Sequence, residues 1–84
     1  MKGIKAMQRT DLLGYRYKID TNWTVDVVLE QNGYDLWLQH DETYVKMWMR
    51  TVYYEYVDDD AHLEAYIKDS FDLYKEVYLY NTRE

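Results

Sequence analysis

The pair Asn32-Gly33, set between two apolar β-rich runs, constrains the fold more than any other local feature of this chain. The two runs are Val25–Gln31 and Tyr34–His40. Asn-Gly is the preferred centre of a two-residue type I′ hairpin turn, because both central residues take a positive φ there. Such a turn brings the apolar positions of both runs onto one face. The predicted pairs are Gln31–Tyr34, Leu29–Leu36, Val27–Leu38 and, on the opposite face, Val28–Trp37.

Two further segments are candidates for strands of the same sheet, since a hairpin alone is marginally stable in water. Leu13–Ile19 alternates, with apolar side chains on one face and Arg16 and Lys18 on the other. Residues 44–57 fit either a strand or an amphipathic helix. Their helical spacing is complete, but Thr51–Val57 is almost entirely β-branched or aromatic, which favours a strand. We predict a strand there, with the helix as the open alternative.

The C-terminal third predicts one amphipathic helix. Its apolar residues recur at spacings of three and four and form one stripe: Leu63, Tyr66, Ile67, Phe71, Tyr74, Val77 and Tyr78. One of the aspartates in Asp58–Asp60 is expected to cap the helix, because a carboxylate accepts hydrogen bonds from the free N–H groups of the first turn. The predicted fold is α+β: an antiparallel meander of three or four strands with a C-terminal helix packed on one face. Met1–Thr10 is a lead-in to which the pattern assigns no place.

Size and composition describe a single small domain. The chain has 84 residues and no cysteine, so its eleven Tyr, three Trp and one Phe must supply much of the buried area. The lysines near the N-terminus are not followed by an apolar run, and no segment reaches the roughly 20 apolar residues that span a bilayer. We therefore expect a cytoplasmic protein without a signal peptide, disulfides or cofactors.

The net charge of −6 is confined to one segment. Residues 1–54 carry seven basic and seven acidic side chains, whereas residues 55–76 carry eight acids against Lys68 and Lys75. The acids of this segment are Glu55, Asp58, Asp59, Asp60, Glu64, Asp69, Asp72 and Glu76. A field of this sign attracts basic partners and repels nucleic acid and anionic membranes. We expect a protein partner with a basic surface, and neither nucleic acid nor a membrane as a direct partner.

The sequence lacks the residue spacing of a catalytic or metal site. Ser70 is the only serine, cysteine is absent, and the three glycines are too scattered for a phosphate-binding loop. The run Asp58–Glu64, which includes His62, is dense in oxygen and nitrogen ligands but lacks the central glycine of a calcium loop. A capped, solvated helix start is the simpler interpretation, so we predict neither an enzyme nor a metal site.

The sheet face opposite the helix is expected to carry an aromatic patch, because one helix covers only one side of a sheet. If residues 44–57 form a strand, this face holds Val28, Trp37, Trp48, Val52 and Tyr54. Exposed Trp and Tyr side chains are frequent interface anchors. Two alternatives remain open: Trp37, Trp48 and Tyr54 bind a partner or a second copy, or Met1–Leu12 folds over them.

The layout resembles the small acidic inhibitors encoded by phages and mobile elements, including anti-CRISPR proteins. The hairpin Val25–His40 and the acidic segment Glu55–Glu76 carry the resemblance. Such inhibitors often combine a short antiparallel sheet with acidic helices and present carboxylates where a nuclease expects phosphates. The resemblance implies a non-enzymatic DNA mimic that occupies a basic, nucleic-acid-binding groove of a host defence protein. The residues expected to mimic phosphates are Glu55, Asp58, Asp59, Asp60, Glu64, Asp69 and Asp72. The alternative is a self-associating or adaptor module, such as a homodimer, that uses the aromatic face.

Overall fold

Five antiparallel strands and one long helix make up the described part of the chain. The computed structural model describes residues 7–9 and 14–82. The elements are β1 (Met7–Arg9), β2 (Gly14–Asp20), β3 (Trp23–Leu29), β4 (Gly33–His40), β5 (Lys46–Tyr53), a 3₁₀ turn (Tyr54–Tyr56) and α1 (Asp60–Thr82). Each strand is hydrogen-bonded to its neighbours in sequence, in the order β1-β2-β3-β4-β5. The predicted α+β meander is confirmed, as is the strand within residues 44–57.

The lead-in contributes a short fifth strand, which the sequence pattern did not indicate. β1 pairs antiparallel with β2, with Met7 opposite Tyr17 and Arg9 opposite Tyr15. Met7–Arg9 therefore lies beside β2 and not across the open face of the sheet. The rest of Met1–Leu12, which was the alternative cover for that face, lies outside the described residues.

The hydrophobic core lies between α1 and one face of the sheet. Val25, Val27, Leu36 and Leu38 of the central strands are fully buried, and Leu63, Ile67 and Phe71 of α1 belong to the same cluster. The C-terminal half of α1 is held by Tyr78, whose hydroxyl donates a hydrogen bond to the carbonyl oxygen of Val45 at 2.6 Å. Val77, predicted to lie on the buried stripe, is exposed.

The β3–β4 hairpin pairs in a register two residues away from the predicted one. Leu29 lies opposite Tyr34 and Val27 opposite Leu36, so the predicted pairs Leu29–Leu36, Val27–Leu38, Gln31–Tyr34 and Val28–Trp37 are wrong. The N–H of Glu30 donates to the carbonyl oxygen of Gly33 at 2.8 Å, which leaves Gln31-Asn32 as the turn residues. Because the shift is an even number of residues, the apolar positions still share one face.

Gly33 serves the packing of β5 and not a type I′ turn. No described glycine has a positive φ, so the conformation that makes Asn-Gly favourable in such turns is absent. A Cβ at Gly33 would lie 2.5 Å from the carbonyl oxygen of Val52 and 2.8 Å from the Cα of Tyr53. The close approach of the β5 backbone therefore requires glycine at this position.

A bulge in β5 changes which of its side chains face the helix. Leu36 is paired with Arg50 and Trp37 with Trp48, which leaves Met49 as the extra residue. Val52, on the far side of the bulge, is buried with the core and not on the open face. The prediction for Val52 is wrong because the bulge interrupts the two-residue alternation of the strand.

Candidate functional site

The acidic segment begins at a capped helix start. Asp59 is the capping residue, since its carboxylate oxygen Oδ1 accepts a hydrogen bond from the N–H of His62 at 2.9 Å. The Nδ1 atom of His62 accepts a hydrogen bond from the N–H of Asp58 at 3.2 Å. The Asp58 carboxylate lies 3.7 Å from Nδ1 of His62, and its side chain is 88% exposed. The prediction that one aspartate of this run caps the helix is confirmed.

Three carboxylates form what we call the outer helix face: Asp69, Asp72 and Glu76. All three are exposed, and at 3.6 residues per turn they fall within about 60° of one another on α1. The rise of about 1.5 Å per residue separates them by about 4.5 and 6 Å along the axis. Glu76 was not among the predicted site residues, although its place one turn after Asp72 indicates a shared face.

The outer helix face is not neutralised by neighbouring cations. Among the described side chains, residues 14–81, the three ion pairs of Lys and Arg lie on the sheet, and the contact between His62 and Asp58 lies at the helix start. Lys75 lies within reach of Asp72, but its ammonium group lies over the ring of Phe71, 5.4 Å from the ring centre. The carboxylates of this face therefore form no ion pair with a described side chain.

The remaining predicted acids do not join this face. Burial and then a hydrogen bond and repulsion from Glu64 raise the pKa of Tyr17, so Glu64 lies toward the sheet. Burial raises the pKa of Tyr34, with smaller contributions from Tyr54 and Asp60. Glu55 belongs to the 3₁₀ turn and borders a shallow groove of about 410 Å³ between that turn and the β3–β4 hairpin. The predicted acidic residues therefore lie in different places. Asp58 and Asp59 are at the helix start, Asp69 and Asp72 are on the outer helix face, and Glu55, Asp60 and Glu64 lie nearer the sheet.

The open face of the sheet, opposite α1, holds charges that are paired. Its central row runs Arg16, Asp26, Trp37, Trp48 across β2 to β5. Asp26 is only 5% exposed. Its carboxylate contacts Nε of Arg16 at 3.1 Å and Nζ of Lys46 at 2.5 Å. A buried carboxylate is thereby held between two half-exposed cations.

A second paired group occupies one end of the same face. The carboxylate of Asp41 accepts hydrogen bonds from Lys18, Thr24 and Gln39. Burial opposes the ionisation of Asp41, but these hydrogen bonds outweigh it and hold the pKa of its carboxyl below the ordinary value. Since Arg16, Lys18 and Lys46 all bind carboxylates, the described part of the face has no cation left for a phosphate backbone.

Of the patch predicted on this face, Val28, Trp37 and Trp48 lie on the open face. Trp37 and Trp48 are directly opposite each other on β4 and β5, and Trp48 is 50% exposed. Tyr54 lies in the 3₁₀ turn, where its hydroxyl donates to the carbonyl oxygen of Glu30 and its ring contacts Tyr34 edge-on. The prediction that Tyr54 shares the patch is wrong, because β5 ends before it.

Neither a metal cluster nor a membrane span is found in the part of the chain that the structure describes. No three His, Asp or Glu side chains there are grouped so that they could hold a metal ion, and α1 is too polar to cross a bilayer. Comparisons of the chain with family models, with curated proteins and with solved structures gave no match.

Proposed function

We propose that this protein is a non-enzymatic inhibitor whose outer helix face occupies a basic, nucleic-acid-binding groove of another protein and mimics phosphates there. A cytoplasmic host defence protein is the partner class that the resemblance implies. The proposal rests on one difference: the carboxylates of the sheet form ion pairs within the chain, and those of the outer helix face form none with a described side chain. The carboxylates Asp26 and Asp41 of the sheet bind cations of their own chain, whereas Asp69, Asp72 and Glu76 bind none among the described side chains.

Unpaired carboxylates on a regular helix suit such a role for two physical reasons. An Arg or Lys of a partner can bind these carboxylates without an internal ion pair having to break first. The helix also holds the three groups at fixed spacings of about 4.5 and 6 Å along its axis. A nucleic acid likewise presents closely spaced charges, about one per 3.4 Å of axis on each strand.

The test compares two variants that lose the same number of charges. The face variant is D69N, D72N and E76Q, and the control variant is D20N, E30Q and E42Q, which removes exposed acids on the sheet side. Immobilised wild-type protein is used to capture proteins from an extract of the native host. The proposal requires that a nucleic-acid-binding protein is captured and that its own nucleic acid and added salt both displace it.

The two variants then decide whether the helix face is responsible. Affinity for the captured protein should fall at least about 100-fold in the face variant, as expected for the loss of several charge-assisted contacts. The control variant should bind within a few-fold of wild type. Equal binding by both variants, or capture that neither salt nor nucleic acid reverses, contradicts phosphate mimicry.

An adaptor function through the open sheet face is a second candidate, and the half exposure of Trp48 beside Trp37 favours it. Binding through these rings depends on apolar area and not on a field, so it survives added salt. Replacing Trp48 by Ala should then abolish capture of the partner, while the face variant described above retains it.

A further inference from the structure

β5 is one edge of the described sheet, and apart from the bulge at Met49 it lacks the charged protection that is usual for an edge strand. It ends the strand order and has eight residues, whereas β1 at the other edge has three. Exposed edges are normally guarded by charged side chains, because unpaired N–H and C=O groups can pair with another chain. Both charged side chains of β5 have partners within the chain: Lys46 binds Asp26 across the sheet, and the Arg50 guanidinium lies 5.5 Å from the ring centre of Tyr66.

One side of α1 extends this edge with an apolar surface. Leu73, Val77 and Tyr80 recur at helical spacing and are exposed, Leu73 by 62% and Tyr80 by 76%. They lie on the same side of α1 as Tyr66, whose ring meets Arg50 of β5. Because α1 lies over β4 and β5, this side, which we call the β5 flank, projects past the edge of the sheet.

We propose that a second copy of this chain pairs antiparallel with β5, about a twofold axis perpendicular to the sheet. The two five-stranded sheets then become one sheet of ten strands. Both helices lie on the same side of it and meet through their β5 flanks. This inference goes beyond the proposed function and does not depend on it, since it is argued from β5 and the β5 flank alone.

Backbone direction selects one register for this pairing. The N–H of Tyr54 donates to the carbonyl oxygen of Asn32, so it points toward β4. Because the N–H groups of a strand point alternately to its two sides, those of Tyr53 and Thr51 point to the free edge. Pairing Tyr53 with Lys46 of the second copy aligns all eight residues of β5. The pairs are Lys46–Tyr53, Met47–Val52, Trp48–Thr51 and Met49–Arg50.

This register also satisfies the faces and charges of β5. Lys46, Trp48, Thr51 and Tyr53 lie on the open face, and Met47, Met49, Arg50 and Val52 lie toward the helix. Every pair in the register joins residues of the same face, which a shift by one residue in either direction does not achieve because of the bulge. Lys46 lies opposite Tyr53 and Arg50 lies opposite Met49, so no two like charges are directly opposite each other in the seam.

The exposed apolar area is close to what a stable dimer buries. Six side chains of the edge and flank are between two-fifths and four-fifths exposed: Val45, Trp48, Tyr53, Leu73, Val77 and Tyr80. Since a Tyr or Trp buries about 150–250 Å² in full, the six offer roughly 600 Å² per copy. A standard interface buries about 800 Å² per partner, and the paired β5 backbones supply the remainder.

Sedimentation equilibrium of the full chain, up to roughly 1 mM, tests the proposal. Wild-type protein should be a dimer, and a monomer over the whole range overturns the inference. L73E places a charge in the β5 flank and should weaken the dimer at least 100-fold. L79E is the matched control, because Leu79 is also exposed on α1 but lies on the opposite flank. Equal weakening by both substitutions would rule out the flank contact.

A second pair of variants tests the strand pairing itself. Tyr53 has φ −74°, which proline adopts without strain. Its N–H points away from β4, so Y53P removes a hydrogen bond of the proposed seam and none of the β4–β5 ladder. Y53A removes the same ring and keeps the N–H. Y53P should bind a second copy at least ten-fold more weakly than Y53A, with an unchanged circular dichroism spectrum, and equal affinities would exclude edge pairing.

A mixture of isotope-labelled and unlabelled wild-type protein provides a check that needs no substitution. In the proposed register, Met47 faces Val52 of the second copy in a pair without mutual hydrogen bonds, where Cα atoms lie about 4.5 Å apart. An intermolecular nuclear Overhauser effect between their Hα protons is expected. A dimer that lacks this signal is joined by another surface, and the edge pairing is then wrong even if the flank variants behave as expected.

Discussion

The open sheet face and the outer helix face carry carboxylates of the same chemistry in opposite settings. On the sheet, Asp26 and Asp41 are partly or wholly buried; Asp26 binds Arg16 and Lys46, and Asp41 binds Lys18. On the helix, Asp69, Asp72 and Glu76 are exposed, and none has an ion pair among the described side chains. Position within the fold, and not residue type, therefore decides whether a charge stabilises the chain or remains available to a partner.

The difference arises from the geometry of the two elements. Residues directly opposite on neighbouring strands have Cβ atoms about 4.5–5.5 Å apart, so Arg16 reaches Asp26 with little loss of freedom. Lys68 and Asp72 are also neighbours on α1, but an exposed pair of long side chains gains only a few tenths of a kcal/mol. Pairing on the helix is therefore weak enough that the charges stay solvated.

The largest effect is expected for Asp26. D26N leaves Arg16 and Lys46 without their shared carboxylate, and we expect the free energy of unfolding to fall by about 2–4 kcal/mol. The half exposure of both cations keeps the loss below that of a fully buried pair. Urea denaturation measures the change, with D72N as the control, for which a surface substitution predicts a change within about 0.5 kcal/mol. Similar losses for the two variants would remove the distinction between the faces.

An intermediate effect, dependent on pH, is expected for Asp41. Its hydrogen bonds hold the pKa of the folded state below the ordinary value, so the unfolded chain takes up the proton first as the pH falls. The stabilisation is complete above the unfolded pKa of about 4 and is lost as the pH falls through the folded pKa. D41N should cost roughly 1–3 kcal/mol at neutral pH.

The pH profile provides the check on Asp41. Urea denaturation of wild type and D41N at a series of pH values should give two curves that converge in acid, because the protonated Asp41 no longer differs in charge from Asn. A constant difference down to the most acidic conditions would mean that the carboxylate charge does not stabilise the fold.

The smallest effect on stability is expected for the outer helix face. Neutralising Asp69, Asp72 and Glu76 together should leave the free energy of unfolding within about 0.5 kcal/mol of wild type at neutral pH, since exposed groups without partners contribute little. Thermal melts at low and high salt measure this. A clear loss of stability would show that these carboxylates support the helix and would weaken the case that they serve a partner.

Local signals in the sequence predicted the elements of the fold but not their exact pairing. The alternation around Asn32-Gly33 correctly indicates two antiparallel strands and places Leu29 and Leu36 on one face. The register differs because Gly33 is needed where the β5 backbone passes within contact distance. The local turn pattern does not indicate this close approach, because the strand that causes it is more than ten residues away.

The charge of the candidate site was predictable from the sequence, but the arrangement of its residues was not. The sequence places the net negative charge within residues 55–76, yet only the structure separates Asp69 and Asp72 from Glu64, which lies beside Tyr17. Tyr54 was expected beside Trp48, but the bulge at Met49 and the end of β5 separate them. Bulges and strand ends depend on packing between elements, which periodicity alone does not report.

The meander order of the strands has a consequence for how the chain folds. Because every strand pairs with its neighbour in sequence, each pairing step closes only a short loop, and the entropy lost at each step is small. Hairpins form within about 1–10 μs, and each completed hairpin offers an edge on which the next strand can form. α1 contacts mainly β4 and β5, so its docking on the assembled sheet buries the apolar face. Low contact order of this kind predicts faster folding than that of β-sandwiches of similar size.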